Sequence, residues 1–307
     1  MSTRRFDNQV AVITGAGRGL GREYALLLGA LGAKVVVNDP GSAIRGGGRD
    51  AGPAEAVANE VRQLGGEAVA NLDSVATSKG GAAIIDCALE HFGRVDVLIH
   101  NAGNVRYGSL RDISDEDFKA VLDVHMLGAF NVVRPAFGRM VSQQYGRVVL
   151  TGSIGGLYGT HNVVNYGMSK AAMIGLNNVI ATEGAEYGIQ SNIILPGAVT
   201  RMADGLDTSA YPPMGPELVA PVVAWLAHAS CSISGEMLIS MAGRVARAFI
   251  AESEGVFRPE WTIDEVAAQM EAIRDRSRQW VLPPAGEGYL EHMQRSFAMA
   301  KAGQGNH

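Results

Sequence analysis

The chain has 307 residues, of which 47% are hydrophobic and 6% aromatic, and it carries a net charge of −5. That much apolar material fills a large core. The acidic balance excludes a general affinity for nucleic acid or anionic membrane, and no apolar run is long enough to span a bilayer.

The start, MSTRRFDNQ, lacks the apolar stretch of a secretory signal. Short β-branched runs then alternate with longer amphipathic ones. QVAVIT (9–14), KVVVN (34–38), EAVAN (67–71), VDVLIH (95–100), GRVVLT (146–151), SNIIL (191–195) and EMLIS (236–240) read as strands. Most are apolar throughout, as strands covered on both faces must be. Helical patterns such as GREYALLLGAL and PAEAVANEVRQLG separate them. The alternation predicts right-handed crossovers and an α/β fold, a doubly wound parallel sheet of about seven strands with helices on both faces. The segment from Asp115 to about Gln144 carries Pro135, where a kink is expected. Cys87 and Cys231 stand far apart without ligand-like neighbours and read as free thiols in a reducing compartment, with no metal site. Beyond about residue 255 the pattern changes. TIDEVAAQMEAIRDRSRQW opens with a capping box, Thr262 to Glu265, and YLEHMQRSFAMAKAG forms a last helix. The expected division is a Rossmann-type domain over 1–255 and a helical extension over 256–307. The extension's apolar Val266, Met270 and Ile273 call for a partner surface.

Three motifs carry chemistry. TGAGRGLGR (14–22) follows the first strand and opens the first helix, so Gly15, Gly19 and Gly21 allow a tight turn and a close approach to a pyrophosphate. Asp39 comes about 20 residues later, at the end of the second strand, where a carboxylate accepts hydrogen bonds from an adenosine ribose. Its charge favours NAD over NADP. Arg18, in the glycine turn, is the counter-argument, since a guanidinium there could reach a 2′-phosphate. Asp39 also suits a turn ahead of Pro40 and Gly41. The third motif sets Ser153, Tyr166 and Lys170 at a spacing of thirteen and then four. Tyr and Lys at i and i+4 share a helix face. A free phenol, with a pKa of about 10, is a weak base. A neighbouring ammonium and a positive nicotinamide ring are expected to lower it, while Ser153 holds the substrate oxygen.

Over roughly residues 7 to 245 the order of TGAGRGLG, HNAG (100–103), Ser153 and YGMSK resembles the short-chain dehydrogenase/reductase family. VVNDPG, GGEAVANLDSV, ISDEDF, YGRVVLTGS and ELVAPVVAWLAHASCSISGEM are more specific. They resemble the (3R)-hydroxyacyl-CoA dehydrogenase domain of peroxisomal multifunctional enzymes and related bacterial lipid- and steroid-degrading dehydrogenases. The resemblance implies a Rossmann sheet, a homodimer or homotetramer, and a lipid-like substrate such as a CoA thioester. It implies cofactor contacts from Leu20 in the glycine turn, from Asp73 and Ser74, and from Asn101, Ala102 and Gly103. Lys170 and Tyr166 would meet the nicotinamide ribose, and Pro196, Gly197, Val199 and Thr200 the carboxamide. PGAVT carries its threonine one place earlier than the family pattern.

The family also has Asn where VHMLG gives His125, which is either a relay member or a helix-packing histidine. His100 replaces the first Asn of the common NNAG and is expected to be structural. RMADGLDTSAYPPMGPE (201–217) lies where the family has a substrate lid, and its Gly and paired Pro suit either a mobile or an ordered loop. Methionines 202, 214, 237 and 241 line an adaptable pocket or belong to ordinary core. Arg45 and Arg49, beyond Asp39 in a glycine-rich loop, are either solvated or contacts for an anionic handle or another subunit.

The reading that follows is a cytoplasmic, NAD-dependent oxidoreductase converting a secondary alcohol to a ketone. An NADPH-dependent 3-oxoacyl thioester reductase is the alternative within the same chemistry. A catalytically silent NAD-binding scaffold is the alternative of another class.

Overall fold

The computed structural model describes residues 4–200 and 210–304. The chain divides into two compact units, Met1–Arg247 and Ala248–His307.

The first unit is built on an eight-stranded sheet. Its strands are β1 (Val10–Thr14), β2 (Lys34–Asn38), β3 (Glu67–Asn71), β4 (Val97–His100), β5 (Gly146–Thr151), β6 (Ile189–Gly197), β7 (Met237–Met241) and β8 (Arg244–Ala248). They lie in the order β3-β2-β1-β4-β5-β6-β7-β8, with β1 to β7 all parallel. The reversal of strand order beside β1 opens a crevice at the carboxyl ends of the strands, where such sheets bind ligands. Val10 to Ile13, Val35 to Val37 and Val97 to Ile99 are buried, which explains why the strands read as unbroken apolar runs.

Helices α1 (Gly19–Ala30), α2 (Gly52–Gln63) and α8 (Ala220–Ala227) pack together on one face. On the other lie α3 (Ser78–Phe92), α4 (Asp115–Leu122), α5 (Gly128–Gln143) and α7 (Val164–Gly184), with the short α6 (Ile154–Tyr158) against α7. The seven expected strands are present within two residues of their expected bounds. β8 is an addition, joined to β7 by a two-residue turn at Ala242 and Gly243, both with positive φ. The irregularity in the long helical segment is a π turn over Asp123–Leu127, and α5 runs through Pro135 without a break in assignment.

The second unit holds a two-stranded antiparallel ribbon, β9 (Glu252–Ser253) with β10 (Gln279–Trp280), and helices α9 (Ile263–Ile273) and α10 (Ala285–Gln304). The capping box at Thr262 and Glu265 is formed on both sides.

Candidate active site

The glycine turn leaves β1 and enters α1 with positive φ at Gly15 and Gly19. A Cβ on Gly15 would lie 2.7 Å from the Ala102 Cα, so only glycine lets these two segments close together. No side chain caps the start of α1, which leaves its first amides to face an anion. A groove of about 400 Å³ opens here, lined by Gly15, Arg18, Gly19, Leu20, Asp39, Ser74, Asn101, Ala102, Gly103 and Thr200. Ten of the expected cofactor positions thus converge on one cavity. The Asp39 carboxylate accepts from the Gly17 amide at 2.9 Å and from the Gly41 amide at 2.7 Å. Each of its oxygens keeps a second lone pair for a further donor. A cradle of glycine backbone, a helix N-terminus and a carboxylate at the strand end suits a dinucleotide.

The remaining cofactor positions lie outside that lining. Gly21 packs beneath the turn, where a Cβ would meet the Gly15 carbonyl. Asp73 accepts from Asn71 Nδ2 at 2.9 Å. Pro196 and Gly197 end β6 beside Ser240 and Met241. The Val199 amide donates to the Met214 carbonyl at 2.7 Å. Met214, Met237 and Met241 line neither this groove nor the cleft described next, and Met237 is buried. Met202 and the first nine residues of the expected 201–217 lid lie outside the described residues.

A second cavity, of about 540 Å³, is lined by Val105, Tyr107, Ser153, Ile154, Gly155, Tyr158, Gly159, Thr160, Val163 and Tyr166. Ser153 is the N-cap of α6, accepting from the Gly155 amide at 3.0 Å, and it lines the cleft beside Tyr166, whose ionised form it favours. Lys170 lies one turn beyond Tyr166 on α7, its Nζ 5.6 Å from the tyrosine ring centroid and donating to the Thr151 carbonyl at 2.6 Å. Burial takes the Lys170 pKa from 10.5 down to about 7. Burial likewise raises the Tyr166 phenol above its ordinary range, against a smaller lowering by Ser153. The expected lowering of the phenol is therefore not a property of the chain alone. Desolvation outweighs the stabilisation of the phenolate by Ser153.

Residues 104–106 separate the two cavities: Val105 faces the cleft, while Asn104 and Arg106 face the groove. His125 lines neither. Its Nε2 lies 2.8 Å from the Asn104 carbonyl oxygen and 3.1 Å from the Asn104 amide, and its ring stands edge-on to Tyr166 at 5.4 Å. Nδ1 is buried without a hydrogen bond among the described residues. His100 bridges β1 and the π turn. The Thr14 hydroxyl accepts from the amides of Asn101 and Ala102, both at 3.1 Å, so its single proton goes to His100 Nδ1 at 3.1 Å. Nε2 then carries the imidazole proton and donates to the His125 carbonyl at 3.2 Å.

Sequence reasoning missed Asn104, Arg106 and Asn165. Asn165 is fully buried and its Nδ2 reaches the carbonyls of Arg106 and Asp117 at 3.0 and 3.1 Å. The available signal was position, since these residues directly follow HNAG or directly precede Tyr166. Arg45 is exposed, 4.0 Å from Asp117, and Arg49 is exposed in the same loop.

The short chain dehydrogenase family matches residues 9–209. The peroxisomal multifunctional enzyme type 2 of Drosophila melanogaster is 43% identical over 280 residues, 89% of this chain and 46% of that enzyme. The chain thus spans about half of that relative's length. The full-length structure of the Drosophila enzyme superposes with a TM-score of 0.78, covering 98% of this chain and 51% of that one at 36% identity. A putative short-chain type dehydrogenase/reductase of Mycobacterium tuberculosis is 43% identical over 273 residues, 88% of this chain and 96% of its own. A 3-oxoacyl-[acyl-carrier-protein] reductase of a Synechocystis strain is 36% identical over 238 residues, 74% of this chain and 93% of its own. The members of this family bind a nicotinamide dinucleotide, NAD or NADP. With its glycine turn, its serine, tyrosine and lysine in place and its matched residues running from β1 past β6, the chain belongs to the short-chain dehydrogenase/reductase family and is an oxidoreductase acting on a CH–OH group.

Proposed function

We propose that the chain is an NAD-dependent dehydrogenase that interconverts a secondary alcohol and a ketone, with a 3-hydroxyacyl-CoA or a steroid-derived lipid as substrate. The observation that carries this reading is the pairing of Ser153 and Tyr166 in the cleft wall, across residues 104–106 from the groove that Asp39 borders. A bound nicotinamide dinucleotide supplies the hydride acceptor. The Ser153 hydroxyl holds the alcohol oxygen, and Tyr166, once ionised to the phenolate, receives the hydroxyl proton. Lys170, fixed by the Thr151 carbonyl, places positive charge behind the phenol. His125 positions the 104–106 segment through the Asn104 backbone. Gly15, Arg18, Gly19, Leu20, Asn101 to Gly103 and Thr200 would border the cofactor.

Asp39 supports NAD, because a carboxylate at the ribose end repels a 2′-phosphate. Val105, Ile154, Val163, Tyr107 and Tyr158 give the cleft an apolar and aromatic wall, which supports a lipid-like substrate. Two free thiols, Cys87 and Cys231, support a reducing compartment such as the cytoplasm. Exposed Leu127 and Phe130 near the π turn, and Met168 and Val179 on α7, support a homodimer or homotetramer.

A second reading, an NADPH-dependent reductase of 3-oxoacyl thioesters, is favoured by Arg18 in the groove and by the similarity to the Synechocystis reductase. Turnover of hydroxyacyl-CoA thioesters and hydroxysteroids with NAD and with NADP separates the two. The expected result is a kcat/KM for NAD at least tenfold that for NADP; a clear preference for NADP would favour the reductase.

A further inference from the structure

The loop after β2, residues 40–50, takes its internal shape from its own backbone. The Asp50 amide donates to the Pro40 carbonyl, that of Ala43 to Gly47, and that of Gly46 to Ala43. Ala43, Ile44, Gly46 and Gly47 form one wall of the groove that Asp39 borders. Three successive glycines, 46 to 48, have φ near +80°, a conformation that offers little resistance to opening. The tie to the opposite wall is therefore what holds the loop in place.

That tie runs through Arg106. Its Nε donates to the Arg45 carbonyl at 2.8 Å, and beside it the Val105 amide donates to the Ile44 carbonyl at 3.1 Å. Its Nη1 donates to Asp117 Oδ1 on α4 at 2.8 Å, and the side chain is only 18% exposed. The Arg106 carbonyl accepts from Asn165 Nδ2, and Asn165 Oδ1 accepts from the Tyr166 amide at 2.8 Å. One planar guanidinium thus spans from the loop to α4, and its main chain continues to the first turn of the helix that bears Tyr166. A lysine, with its donors on one nitrogen at the end of a flexible stem, lacks the planar fork that fits both ends of that span.

We propose that Arg106 is a positioning residue that straps loop 40–50 across the cofactor groove, through the Arg45 carbonyl, and anchors it to α4 and to the start of α7. The strap slows cofactor release. This rests on the reading of the groove as a dinucleotide site. It also assigns the loop's two arginines unequal parts. Arg45 serves through its carbonyl, and its side chain, 64% exposed and 4.0 Å from Asp117, contributes little.

The test compares Arg106→Ala, Arg106→Lys and Arg45→Ala with the unaltered protein, following NAD affinity and dissociation rate, steady-state kinetics, and amide hydrogen exchange over residues 43–49. Loss of a hydrogen bond from a charged donor predicts NAD binding weaker by about tenfold or more in Arg106→Ala. Dissociation should be faster and exchange at 43–49 accelerated. Arg106→Lys should fall between. Arg45→Ala should match the unaltered protein within about twofold. Unchanged exchange at 43–49 in a folded Arg106→Ala, or a loss of affinity in Arg45→Ala as large as in Arg106→Ala, would overturn the strap. The exchange measurement needs no cofactor. An unaltered protein that binds neither NAD nor NADP would therefore defeat the reading of the groove while still deciding whether Arg106 holds the loop.

Discussion

Tyr166 and Lys170 lie one turn apart on α7, and burial drives their pKa values apart, the phenol's up from its ordinary value and the ammonium's down to about 7. The spacing of Ser153, Tyr166 and Lys170 was legible from sequence, because a helix fixes which residues share a face. The electrostatic balance was not, because it depends on how much water each group loses. Both shifts bear on rate. The neutral phenol cannot take a proton, so alcohol oxidation should speed up as pH rises and ketone reduction should slow. Tyr166→Phe keeps the ring, and with it the edge-on contact to His125, but removes the proton acceptor. It should reduce turnover by about a hundredfold or more, the scale of general acid–base catalysis, while NAD affinity stays within a few-fold. A variant with more than a tenth of the original kcat would remove Tyr166 from its assigned role. Asp39 shows the converse limit. Its place at the strand end was readable, but its hold on the Gly17 and Gly41 amides required the fold.

The strands were the most legible elements, since β-branched runs buried on both faces leave little ambiguity. β8 was missed because RVARA alternates and sits at the edge of the sheet, where its residues stay largely exposed. The π turn at 123–127 escaped for a different reason. Nothing in DVHML marks it, and its carbonyl at His125 is met by His100 from β4, a partner set by tertiary structure. Proline was a poor guide here, since α5 accommodates Pro135 while the irregularity lies a full turn or more earlier. Local chemistry was a good guide in the second unit. Thr262 and Glu265 satisfy each other's amides at the start of α9. Thr262→Ala removes one half of the box. Amide exchange in the first turn of α9 should accelerate by roughly fivefold, as expected for loss of a capping side chain, with exchange in β1 and β4 unchanged. Equal protection in both proteins would show that other contacts hold this turn.

At the scale of the whole molecule, the described residues of the first unit include, besides Arg147, the buried bases His100, His125 and Lys170, all nearly inaccessible. They hold the π turn, the 104–106 segment and the end of β5, so the geometry around Tyr166 rests on groups that are costly to charge. Burial lowers the His100 pKa from 6.5 to about 3 and takes that of His125 well below 6.5. Between those limits the unfolded chain binds protons that the folded chain excludes, so stability falls as pH falls below about 6.5. Lys170 acts in the same sense in another window, from about 7 to 10.5, where stability rises with pH. A measurement between pH 6.5 and 5.0 therefore weights the histidines, since most of the lysine's window lies above it. Each histidine should lower the unfolding free energy as the pH falls across that interval. His100→Asn supplies an amide acceptor and donor where the imidazole bridges Thr14 and the π turn, and it cannot titrate. Urea unfolding of that variant should show a weaker pH dependence than the unaltered protein. A slope that the substitution leaves intact would mean that His100 is solvated or charged in the folded state, and the bridge between β1 and the π turn would have to be redrawn.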